Sequence, residues 1–256
     1  MIGVVAAAAA LSDPPSGSPV LDTEWVGPVP RDHKTRAPAT LYALKAAELL
    51  GVGACTLPLV TVTGPTGPMV ASFDRAWRLA DGGELTGPGF AGRRSRRIHP
   101  MTLLRSLQNQ VPASLSIERG WCGPCLNIFD HDRLWPCLIA MLPGLIESHG
   151  QAILLLARAG RGEEEGAKFR HRFPGEDNVE GAVALLLGDA DRGLGQLCLG
   201  PRNTGLRNSL TGFDAALGVF ACLSREVATA AFALGMAGAE DALIWTKNDN
   251  IHQQNG

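Results

Sequence analysis

Aromatic residues are scarce, at 5% of the 256-residue chain with a single Tyr. Stacking surfaces of the kind that grip single-stranded nucleic acid have little to be built from. Charge of one sign is also lacking. A formal net charge of −2 gives no global attraction to nucleic acid or anionic lipid, so neither is an expected partner. No apolar run reaches the roughly 20 residues that a membrane span needs. The opening "MIGVVAAAAALSDPP" is apolar and offers Ala-x-Ala cleavage options, but it lacks the basic segment of an export signal. It reads as a buried first strand ended by Ser12-Asp13-Pro14-Pro15, in a chain expected in the cytoplasm. Hydrophobic residues at 45% against 19% charged exclude a disordered chain. The length suffices for one sizeable core, and we read residues 1–256 as a single domain.

Hydrophobic periodicity supplies the elements. "TLYALKAAELLGVG" places Leu41, Leu44, Ala47 and Leu50 at helical spacing and ends on glycines that suit a C-cap. "LPLVTVTG" is a strand of β-branched residues. A helix is expected around Phe73 to Leu79, and another over "MTLLRSLQNQV" with Leu103, Leu104, Leu107 and Val111 on one face. "CLNIF" alternates as a short strand. "LWPCLIAMLPGLIESHG" is a helix through Leu134, Leu138, Leu142 and Leu145. "AILLLA" and "VEGAVALLLGD" are continuously apolar strands of the doubly covered kind, separated by a charged, exposed insertion, "RGEEEGAKFRHRFPGEDN". Two helical runs follow, "FDAALGVFACL" and "SREVATAAFALGMAG", the second with Ser224 as N-cap. "ALIWT" is a last strand. Helices alternating with buried strands predict a layered α/β fold.

The six cysteines, Cys55, Cys122, Cys125, Cys137, Cys198 and Cys222, sit mostly as singles in apolar runs and read as small buried hydrophobes. One pair stands apart. "WCGPC", Trp121 to Cys125, resembles the active-site motif of thioredoxin, which would make the chain a dithiol redox protein. That chemistry needs its first thiol at a helix N-terminus after a buried strand, where helix-terminal N–H groups lower the thiol pKa. Here a polar break, Glu118-Arg119-Gly120, precedes the pair and a strand pattern follows it. Gly123-Pro124 reads as a turn with two incidental cysteines.

On a wider window, "IHPMTLLRSLQNQVPASLSIERGWCGPCLNIFD" resembles the N-terminal half of β-ketoacyl synthases. The resemblance rests on His99-Pro100, Asn109, Leu115 to Ile117, Gly120, Gly123-Pro124 and Leu126. "IESHGQAILLLARAG" is similar to the family's helix-glycine-strand segment after the nucleophile, and "VEGAVALLLGDADR" to its later "EGA" strand. The likeness is clearest from Arg31 to Arg192, and residues 193–256 add helices and a strand. It implies a thiolase-like fold, with a buried mixed sheet flanked by helices, and it is similar in kind to short ketosynthase-like proteins and chain-length-factor-like partners. The family dimerises along the strand after the nucleophile helix. By resemblance, Ile153, Leu154, Leu155 and Leu156 in "AILLLA" are interface candidates, expected at an exposed apolar edge of a monomer.

The departures matter for activity. The family's nucleophile is a Cys at the start of a buried helix, assisted by two His from its other half. The matching place here falls within "FDHDRLWPC" and offers Asp132, Arg133 or Leu134, while Cys137 lies further along. The sequence after "VEGAVALLL" contains no "HGTGT". The expectation is a non-condensing subunit that pairs, as a homo- or heterodimer, with an active ketosynthase in polyketide or fatty-acid-type biosynthesis. Catalytic candidates for an altered acyl-transfer or hydrolytic chemistry are Cys137, Asp130, His131 and Asp132. Adjacent residues rarely converge on one ion, and an Asp before a helix is a routine cap, so no metal is expected. No cofactor is implied. Arg93, Arg94, Arg96 and Arg97 form a basic cluster suited to an acidic acyl carrier protein or its phosphopantetheine phosphate.

Overall fold

The computed structural model describes residues 1–11, 36–63, 107, 109–131, 133–158, 180–201, 212–234 and 241–248. In chain order the elements are β1 (Ile2–Leu11), α1 (Pro38–Leu50), β2 (Leu59–Thr63), α2 (Gln110–Arg119), β3 (Cys125–Phe129), α3 (Leu134–His149), β4 (Ala152–Arg158), β5 (Gly181–Gly188), β6 (Gly195–Pro201), α4 (Gly212–Ser224), β7 (Thr229–Ala233) and β8 (Asp241–Lys247). The strands form one sheet in the order β3-β2-β4-β5-β1-β6-β8-β7. Strands β3, β2 and β4 run parallel. Every pairing from β4 onward is antiparallel. The sheet is thus mixed, with three parallel strands at one end.

Alternation along the strands divides the core between two faces. On one face Ala8 and Ala10 of β1 and Ala182 and Ala184 of β5 meet Ala39, Ala43, Ala46 and Ala47 of α1. Small residues on both sides let helix and sheet approach closely. Pro38 occupies the first turn of α1, where its missing N–H costs nothing. Gly51 ends the helix in the left-handed region (φ 73°) and its N–H donates to the Glu48 carbonyl. The opposite face is built from larger side chains. Leu134, Trp135, Leu138 and Leu142 of α3 and Phe213, Val219 and Phe220 of α4 pack on Val60, Val62, Leu154, Leu156, Leu185 and Leu187. Helices on both faces of the sheet give the three-layer α/β arrangement read from the sequence.

Several expectations are corrected. Ile153, Leu154, Leu155 and Leu156 do not lie at an edge: β4 is paired with β2 on one side and β5 on the other, and all four are fully buried. Leu107 is exposed and outside any helix, and α2 starts at Gln110, where the expected helix was ending. Pro112 in its first turn is the start signal. The described part of "SREVATAAFALGMAG", up to Leu234, is not a second helix. Ser224 closes α4, its hydroxyl donating to the Phe220 carbonyl, and Thr229–Ala233 is a strand paired with β8. Strand β6 lies where the sequence predicted no element, between "VEGAVALLLGD" and the helical runs. Of the six cysteines only Cys222 is buried. The helix expected at 73–79, most of the one at 101–111, the arginine cluster at 93–97 and the insertion at 161–178 lie outside the described residues.

Candidate functional site

Strands β2, β3 and β4 run parallel, so their carboxyl ends share one rim of the sheet, the usual place for a ligand crevice in an open α/β sheet. Asp130 directly follows β3, and its N–H donates to the Thr63 carbonyl at 3.0 Å, extending the β2–β3 ladder by one step. Its carboxylate accepts hydrogen bonds from the backbone N–H groups of Phe213 and Gly212 in the first turn of α4. Burial raises the Asp130 pKa to about 6, against the opposing pull of the Arg158 guanidinium. A Cβ on Gly212 would run into the Leu134 side chain and the Asp130 carboxylate, so a larger residue at this helix start would have to displace both.

Arg158 ends β4 on the same face. It is buried and holds Asp214 with two bonds, Nη1 to Oδ2 at 2.9 Å and Nη2 to Oδ1 at 2.8 Å. Its guanidinium lies over the Phe213 ring, 4.6 Å from the centroid. Trp135 in the first turn of α3 donates Nε1–H to the Gly212 carbonyl at 3.0 Å. Two helix starts and two strand ends are therefore tied by one guanidinium, two carboxylates and an indole. The charges largely satisfy one another, and the described residues place no thiol among them.

The sequence candidates separate here. Asp130 belongs to the cluster. His131 is exposed, and its Nδ1 accepts the Arg133 N–H at 3.1 Å, so it organises the turn into α3. Cys137 is exposed, a turn into α3. Asp132 lies outside the described residues. Arg158 and Asp214 were missed, being 56 residues apart. The available signals were a lone Arg closing the apolar run "AILLLA" and an acid in the first turn of "GFDAAL". Among the described residues no group of three or more His, Cys, Asp or Glu could hold a metal ion.

The "WCGPC" segment sits at the opposite end of β3. Trp121 is buried, its Nε1–H donating to the Gly53 carbonyl at 3.0 Å. Trp121 bridges Cys55, and Leu59 N–H donates to the Pro124 carbonyl at 2.8 Å. A Cβ on Gly123 would strike the carbonyls of Thr56 and Leu57, so the glycine serves close backbone packing. Helix α2 ends before the pair at Gly120, in the left-handed region with φ 67°, and the pair leads into a strand. Neither thiol faces a helix N-terminus, and desolvation pushes the Cys125 thiol up, away from the thiolate that exchange needs. Cys122→Ser with Cys125→Ser is expected to cost on the order of 1 kcal/mol or less and to leave association unchanged. A reversible dithiol couple near roughly −270 mV in redox titration would restore the redox reading.

At its outer end β3 has no further strand among the described residues. The bonds to β2 use Pro124, Leu126, Ile128 and Asp130, so the parallel register turns the N–H and carbonyl groups of Cys125, Asn127 and Phe129 outward. Leu126 and Phe129 are 41% and 44% exposed, and Ile117 of α2 is 82% exposed. Among the described residues no helix is long and apolar enough to cross a membrane.

The sequence matches no family model and no curated protein. The structure is similar to a chain of the ketosynthase–chain length factor complex of Xenorhabdus doucetiae, at 12% identity and a TM-score of 0.59, over 96% of this chain and 99% of that one. It also matches a chain of the ishigamide ketosynthase/chain length factor at 13% identity and a TM-score of 0.48, over 88% of this chain and 72% of that one. At such identity the first likeness speaks for architecture alone: the chain shares its fold with a chain of that ketosynthase–chain length factor complex.

Proposed function

We propose that this chain is a non-condensing, ketosynthase-like subunit that pairs with an active ketosynthase in polyketide or fatty-acid-type biosynthesis, in the cytoplasm. The observation that carries the reading is the occupancy of the β3–α3 turn. Where the resemblance puts a nucleophilic Cys at the start of a buried helix, this chain offers Asp132, Arg133 or Leu134, and Asp130 just before them is held by α4 and faces the Arg158–Asp214 pair. A guanidinium–carboxylate network there binds two helices to the sheet and offers no nucleophile for a thioester. The exposed Leu126 and Phe129 of β3, which ends the sheet among the described residues, make it the pairing surface in place of β4. Docking of an acyl carrier protein on Arg93, Arg94, Arg96 and Arg97 belongs to the same proposal and rests on charge alone.

Two measurements test it. Co-expressed with an active ketosynthase as its candidate partner, the chain is expected to copurify in fixed stoichiometry and sediment as one species. Alone, it is expected not to decarboxylate malonyl-carrier protein or extend an acyl chain. Enzyme-dependent decarboxylation that survives Cys137→Ala would show that the β3–α3 turn has been misread. A second reading has one observation in its favour, the carboxyl of Asp130 titrating near 6, within reach of general acid–base work. It requires hydrolysis or transfer of an acyl thioester that disappears in Asp130→Asn or Cys137→Ala.

A further inference from the structure

We draw no further inference here: the strongest candidate, the fully buried and unpartnered Thr63 hydroxyl at the carboxyl end of β2, is enclosed by packing, and nothing among the described residues shows space for a ligand beside it.

Discussion

Leu155→Arg is expected to yield no folded protein. Leu155 is 0% exposed at the middle of β4, its backbone beside Thr61 of β2 and Ala184 of β5. Its side chain joins the tightly packed face where Ala43, Ala46 and Ala47 of α1 approach the sheet. An arginine there has no buried carboxylate among the described residues of that face to pair with. Deleting the leucine alone costs about 2–5 kcal/mol, and leaving a charge buried and unpaired adds several more. Domains of this kind are stable by roughly 5–15 kcal/mol in total. The variant should accumulate as insoluble material, and refolded fractions should show no cooperative thermal transition by circular dichroism. Leu155→Ala should remain soluble with a lowered midpoint. A soluble Leu155→Arg protein that melts like wild type, whatever its state of association, would mean that β4 is not an interior strand.

That residue shows both what the sequence made legible and where it stopped. A continuous run such as "AILLLA" announces burial on both faces, and burial is what β4 has. The run cannot say whether its neighbours are strands of the same chain or of a second one, because both demand the same apolar side chains. Local periodicity likewise gave α1, α3, α4 and the strands whose β-branched or apolar residues alternate or run together. It failed at β7, where alanines fit a helix as well as a strand. Pairing with β8 decided the matter, together with a seat for the Phe232 ring against Gly218 of α4. Strand β6 was hidden for a related reason: its Gly195 lies under the ring of Trp245, a tertiary contact that in sequence looks like a loop residue. At the site, Asp130 stood out as a polar residue between an apolar strand and an apolar helix. Its partners are set by three-dimensional closure of β4 against α4, which no spacing rule encodes.

Lysines at Leu126 and Phe129 are expected to leave the subunit folded and to abolish its pairing. The two side chains lie on opposite faces of an edge strand and are 41% and 44% exposed. Long aliphatic stems can cover similar surface with their ammonium groups in water, so the cost to the subunit is within about 1 kcal/mol at each site. Lysine is also a common guard of exposed edges, because it blocks a further strand without disturbing the ladder beneath. In a complex the same two positions would lie under the added strand and its flanking segments. Each unpaired ammonium then costs several kcal/mol, and two together exceed a hundredfold in affinity even after partial escape to solvent. Circular dichroism and thermal melting of Leu126→Lys/Phe129→Lys should match wild type closely, whereas sedimentation with the ketosynthase should show only separate subunits. Leu155→Arg fails by unfolding and this variant by dissociation, so the two outcomes together assign folding to β4 and association to β3. Retention of pairing at wild-type strength in the double lysine variant would place the partner on another surface and leave the β3 edge without a role.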